Sequence, residues 1–177
     1  MRLIKRILGI LVVLVIALVA ISFVLPREVA VSRSVEIAAA PAAVFPHVNS
    51  LQKFSEWSPW SKIDPDMQVT YTGPEMGVGN KMEWTSEHPN VGNGAQVITA
   101  SVENESVATE LDFGPMGTAD AQFLLAAKGE GTEVTWGFTT DLGMNPIARW
   151  MGLMMDDWIG ADYERGLTAL KEIAEAG

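Results

Sequence analysis

From Ile7 to Leu25 the chain runs 19 residues without a charge or a proline. Nothing else in the sequence restricts the possible architectures as much. A helix rises 1.5 Å per residue, so this run is about 28 Å long, close to the ~30 Å hydrocarbon thickness of a bilayer. A helix buried at the edge of a soluble core would keep a polar face, and Leu8 to Val24 has none. The apolar stretch of a cleaved signal peptide is about 7–15 residues, shorter than this one, although Ala20-Ile21-Ser22 would pass as a poor cleavage site. Arg2, Lys5 and Arg6 precede the run and only Arg27 follows it closely. The positive-inside rule then predicts residues 1–6 in the cytoplasm, 7–25 across the membrane, and a domain over 28–177 outside. In a bacterium this describes a single-pass inner-membrane protein with a periplasmic domain.

Charge separates the two parts. Four of the 12 basic side chains lie in residues 1–27, which leaves 8 against all 22 acidic groups in the remaining 150 residues, a net of −14. A body that acidic has no basic stripe for phosphates, which excludes nucleic acid as a partner. The absence of cysteine excludes disulfides, thiolate metal sites and cysteine nucleophiles.

Beyond the span the dominant signal is two-residue periodicity. Val29, Val31, Val35 and Ile37 alternate with smaller or polar residues, which predicts a strand that starts almost at the membrane. Pro41 opens a short helix to about Val48, and Ser50 is placed to cap a second brief turn through Phe54. Trp57-Ser58-Pro59-Trp60, continuing to Asp64-Pro65-Asp66, reads as an aromatic loop. Alternation then returns in six segments marked by Val69, by Val78, Met82 and Trp84, by Ile98, by Val107, Leu111 and Phe113, by Phe123, and by Val134, Trp136 and Phe138. Glycine-bearing turns join them, so the segments predict an antiparallel meander. Asn145-Pro146 starts a helix carrying Ile147, Trp150, Met151 and Met154. A break near Asp156 is expected before a long final helix with Ile159, Tyr163, Leu167, Leu170 and Ala174 on one side. The class is α+β: a curved antiparallel sheet wrapped round a long C-terminal helix.

Three segments resemble membrane-anchored bacterial members of the START-like superfamily, also called SRPBCC, which embraces polyketide cyclases, dehydrases and lipid-transport proteins. They are Trp57-Ser58-Pro59-Trp60 with Asp64-Pro65, Leu111-Asp112-Phe113 with the Gly114–Gly117 turn, and Asp141-Leu142-Gly143-Met144-Asn145-Pro146-Ile147. The resemblance implies the helix-grip fold over nearly the whole chain. It carries no catalytic motif.

The residues themselves offer little for chemistry. His47 and His88 are the only histidines and neither has a carboxylate at metal-ligand spacing, so no metal or other cofactor is expected. There is no Gly-x-Ser-x-Gly elbow. Gly77-Val78-Gly79 and Gly92-Asn93-Gly94 join strands to strands and serve as turns. Asn104-Glu105-Ser106 matches a glycosylation sequon by chance. Glu83, Glu110 and Asp112 fall on the parity opposite the apolar residues and should face solvent, while Asp156-Asp157 complement a helix N-terminus.

Aromatic and methionine side chains are the more informative set. Met82, Trp84, Phe113, Trp136 and Phe138 share the inward parity. Trp150, Met154 and Trp158 approach from the helices, and Trp57 and Trp60 are placed to close one end. Such residues either pack a core or line a pocket for an apolar ligand. Together with the fold they predict a membrane-tethered binding domain for a hydrophobic small molecule or lipid, with those ten residues as its lining. The alternatives are a cyclase or dehydratase acting on an apolar substrate, and a structural or interaction domain with a filled core. No protein partner can be read from the chain. Because only Pro26 to Glu28, about 10 Å when extended, separates span from strand, the domain should rest on the bilayer with its Trp57, Trp60 and Trp150–Met155 end toward it.

Overall fold

Alternating burial dictates the sheet. In the computed structural model, which describes residues 2–176, Ala119, Ala121, Phe123 and Leu125 are buried while Asp120, Gln122 and Leu124 between them are exposed. The chain order is α1 (Arg2–Ser22), β1 (Glu28–Ile37), α2 (Pro41–Val48), α3 (Leu51–Trp57), α4 (Pro59–Ile63), β2 (Gln68–Thr72), β3 (Lys81–Thr85), β4 (Gly94–Val102), β5 (Ser106–Asp112), β6 (Thr118–Lys128), β7 (Gly131–Asp141), α5 (Pro146–Gly152) and α6 (Met155–Ala176). One seven-stranded sheet has the order β1-β7-β6-β5-β4-β3-β2, and every pair is antiparallel. The six-strand meander is as expected, with β1 added beside β7. A bulge between Ile98 and Ala100 bends the sheet.

The concave face is covered by α2–α4 and α6. The α6 stripe of Tyr163, Leu167, Leu170 and Ala174 is buried against Ile37, Val44, Phe123 and Val134 in a single core cluster. Arg33 of β1 reaches across α6 at Gly160, where any side chain would collide with its guanidinium, and bonds Asp156 and Glu164 at 3.0 Å each. That grip fixes the first half of α6 on the sheet.

Local details depart from the sequence reading in five places. Helix α1 starts at Arg2, because Lys5 and Arg6 are good helix formers, and ends at Ser22, with Phe23–Leu25 turning ahead of Pro26. The Trp57–Trp60 segment is helical: α3 extends to Trp57, and Pro59 supplies the first position of α4. Ser50 makes no cap. Its hydroxyl donates to the Glu75 carbonyl (2.9 Å), and Asn80 Oδ1 accepts from Leu51 N instead (2.7 Å). Strand β3 begins at Lys81, since Val78 lies between two glycines of positive φ. The helical break falls at Leu153–Met154, and Asp156 and Asp157 occupy the first turn of α6.

Helix α1 is exposed along nearly its whole length, and Leu3–Ser22 is long and apolar enough to cross a membrane. By itself that helix is compatible with either a single-pass anchor or a signal sequence.

Candidate functional site

Register decides what the concave face presents. Trp136 of β7 pairs with Phe123 of β6, so large rings occupy one row of the sheet. Two residues nearer the α1 end, Phe138 pairs with Ala121 and Ala121 with Thr109. In the next row on that side Ala119 pairs with Leu111, Leu111 with Gln96, and Gln96 with Met82. Next to the ring row, the inner strands therefore present Ala121, Thr109, Ala119 and Gln96, a small and partly polar floor flanked in the same rows by Phe138, Ile98, Leu111 and Met82.

The ring row is a packed cluster. Trp136 stacks on Tyr163 of α6 with centroids 3.8 Å apart and planes 8° from parallel. Trp57, Phe54 and Trp60 meet it edge-on at 5.4, 5.6 and 5.9 Å, and Phe123 lies 5.0 Å away. Trp57 is fully buried and its indole N–H donates to the His47 carbonyl (3.1 Å). Edge-to-face and offset pairs of this kind add about 0.5–1.5 kcal/mol each beyond area burial. Burial raises the Tyr163 hydroxyl pKa, so that group stays neutral. Burial also lowers the His47 pKa, and its Nδ1 has no hydrogen-bond partner among the described residues.

Gln96 and Thr109, 5% and 2% exposed, form the polar part of the floor. Gln96 Nε2 donates to Thr109 Oγ1 (3.0 Å), whose own proton goes toward the Ala121 carbonyl (3.4 Å). One amide donor of Gln96 is thereby used, and its carbonyl oxygen keeps its acceptor capacity. Trp84 and Phe113 close the α1 end of the face as a perpendicular pair at 6.1 Å, with Gly94 leaving room beneath the Trp84 ring. Glu83, Glu110 and Asp112 are exposed on the opposite parity, as expected.

The ten singled-out residues therefore divide three ways. Trp57, Trp60 and Trp136 join the packed cluster. Met82, Trp84, Phe113 and Phe138 border the small-residue floor, Met82 buried and the other three half-buried. Trp150, Met154 and Trp158 lie outside the concave face: the Trp150 indole N–H donates to the Leu18 carbonyl of α1 (3.2 Å), and Met154 and Trp158 are exposed. Gln96 and Thr109 were missed; their inward parity was legible from Ile98 and Val107, and that signal could have found them. A separate surface groove of ≈ 450 Å³ lies at the far end of the sheet between Phe45, Asn49, Met76 and Ser101, where Asn49 and Ser101 satisfy one another (2.8 Å). Among the described residues no group of three or more His, Asp or Glu side chains could hold a metal.

Residues 28–175 match the family model described as polyketide cyclase / dehydrase and lipid transport. The chain belongs to that family. Comparison with curated protein sequences gives no match. Among solved structures it is similar to Ara h 8.0201 (TM-score 0.62, 14% identity, covering 85% of this chain and 99% of that one). It is also similar to StfQ, the di-domain ARO/CYC from the steffimycin biosynthetic pathway (0.63, 10% identity, 85% of this chain and 51% of that one). The Aha1 dimer from Colwellia psychrerythraea is a third (0.54, 18% identity, 83% and 96%). At these identities the likeness establishes the fold, which is the START-like helix grip expected from the sequence.

Proposed function

We propose that this family member is a membrane-tethered binding domain for a hydrophobic small molecule or lipid, with its N-terminus in the cytoplasm and residues 28–177 on the other side of the membrane. The observation that carries the reading is the floor of Ala119 and Ala121 with the buried Gln96–Thr109 pair, bordered by Met82, Trp84, Phe113 and Phe138. Ligand sites are typically apolar walls with a few placed polar groups, and a Gln carbonyl oxygen suits the hydroxyl or amide of an otherwise apolar ligand. The ring cluster behind the floor gives it a rigid back wall. Family membership supports lipid or polyketide-like chemistry for the ligand. No carboxylate borders the floor from β3 or β5, where Glu83, Glu110 and Asp112 are exposed, and this favours binding over acid–base catalysis.

Native mass spectrometry of the full chain from its own host, released from mild detergent, should show an apolar adduct. Filling the floor with Ala121→Phe should weaken uptake of an apolar fluorescent probe at least about tenfold, the equivalent of ~1.4 kcal/mol. Unchanged probe affinity in a folded Ala121→Phe protein would refute the assigned site. Topology is tested separately: a reporter fused at the C-terminus should be active only in the exported compartment.

A further inference from the structure

Helix α1 does not lead into the domain through a loose tether. The last turn of any helix leaves its carbonyls without intrahelical partners. Here Arg149 of α5, only 6% exposed, donates from Nη1 to the carbonyls of Phe23 (3.2 Å), Ser22 (3.4 Å) and Leu25 (3.5 Å). Its Nε and Nη2 hold the Gly143 carbonyl at 2.9 and 2.8 Å, and its guanidinium lies over the Phe23 ring at 5.6 Å. The positive charge also complements the negative end of the α1 dipole. Next to it, the Trp150 indole bonds the Leu18 carbonyl. Leu18 precedes Ser22 by four residues, so Trp150 is held about 6 Å back along α1, alongside the span itself.

We propose that α5 and the first turn of α6 form a foot that lies in the headgroup–acyl boundary of the bilayer crossed by α1, clamped there by Arg149 and Trp150. The depth follows from the joint: if Leu3–Ser22 spans the hydrocarbon, the Leu18 bond puts the Trp150 ring at the interface, where tryptophan is enriched. The foot has the surface for it. Met144, Ile147, Met151, Leu153, Met154 and Trp158 are all exposed, Ile147 at 70% and Trp158 at 51%, and α5 packs against the exposed, apolar α1. A contiguous apolar patch of this kind marks an interaction site. Charge agrees. The 14 residues Leu142–Met155 contain no acidic side chain in a chain with 22, and their one charge is Arg149. The flanking acids are paired, Asp141 with Arg27 and Asp156 with Arg33, which it shares with Glu164, and Asp157 lies at the edge. Anionic headgroups repel the rest of the domain and spare this segment.

The foot depends on the tethering proposed above but not on the ligand. Because the chain lacks cysteine, single cysteines at Ile147, Met151 or Met154, with Val102 at the opposite end of the sheet as control, can carry an environment-sensitive fluorophore. The full chain would be reconstituted in vesicles of phosphatidylethanolamine with a minority of phosphatidylglycerol, some lipids bearing a spin label near the headgroup. Labels at the three foot positions should lose fluorescence several-fold relative to lipids without spin label, and the Val102 label should not. Arg149→Gln should abolish that difference while the near-ultraviolet circular dichroism of the ring cluster is retained. Foot labels no more quenched than Val102 would overturn the proposal, even if the protein binds apolar probes. Protection that appears only at high protein-to-lipid ratio would also overturn it, because a second copy would then be the occupant. Quenching unchanged in Arg149→Gln would overturn the clamp. Loss of probe binding with the foot still quenched would count against the ligand site alone.

Discussion

Gly166→Ala sets two effects of opposite sign against each other. In an exposed helix interior this change stabilises by about 0.8–1.0 kcal/mol through helix propensity. At this position a methyl group would lie 2.8 Å from Trp136 Cζ3, 3.1 Å from Pro59 Cδ and 3.5 Å from Trp57 Cζ3. Ordinary contact begins at 3.4 Å, so the Trp136 ring would have to retreat by 0.6 Å or more. It has little freedom to do so. Tyr163 stacks on one face at 3.8 Å, and Phe123, Trp57, Phe54 and Trp60 surround it at 5.0–5.9 Å. Overpacking a core of this kind costs about 1–3 kcal/mol, more than the propensity gain. The expected net loss is up to about 2 kcal/mol, which for a domain of this size lowers Tm by up to roughly 8 °C. Thermal unfolding of the full chain in mild detergent, followed by near-ultraviolet circular dichroism, reports the domain without interference from α1, which has no aromatic residue before Phe23. A rise in Tm would refute the reasoning: the ring cluster would then be yielding, and Trp57 and Trp136 would be free to move for a ligand.

Two other outcomes can be checked directly. Asn145 Oδ1 accepts from Ile147 N (3.0 Å) and Ala148 N (3.2 Å), so Asn145→Ala should cost about 1 kcal/mol, and hydrogen exchange at those two amides should accelerate. Arg27, assisted by the Gly143 N–H, holds the Asp141 carboxyl down at about 2. A depressed carboxyl pKa stabilises the fold above the ordinary aspartate value of about 3.9, and that contribution fades as pH falls from about 4 through about 2. An NMR titration of the Asp141 carboxyl should shift back toward the ordinary value in Arg27→Gln; an unmoved midpoint would show the ion pair to be incidental. Both partners are exposed, so added salt should weaken the effect.

The fold was legible because its determinants are local. Two-residue alternation marked β1 and the six meander strands, glycine turns dictated antiparallel pairing, and Asn145-Pro146 and the Tyr163–Leu167–Leu170–Ala174 stripe announced the two last helices. The misplacements were also local and have local causes. Trp57–Trp60 reads as a loop, but Trp57 ends α3 and Pro59 takes the first position of α4, where a proline is tolerated. The Ser50 cap is the exception with a distant cause: its hydroxyl is committed to the Glu75 carbonyl, 25 residues away.

The candidate site was less legible because parity gives the face of a sheet and register gives the row. Trp136 and Phe138 differ by two residues and share a face, yet one pairs with Phe123 in the ring cluster and the other with Ala121 beside the floor. No pattern within β7 separates them; the distinction comes from how β6 and β7 are aligned by the Gly129–Gly131 turn. Gln96 and Thr109 likewise acquire their meaning from adjacency across β4 and β5. Arg149 is the extreme case. In sequence it is a lone charge in an apolar segment, a local inconsistency, and its acceptors are carbonyls of Ser22, Phe23 and Leu25 more than 120 residues earlier. A buried arginine must find such partners or destabilise the fold. An unpaired charge inside a Met- and Trp-rich stretch was thus a signal that some distant backbone lacked donors. Those partners are carbonyls at the end of α1, the apolar helix long enough to span a membrane.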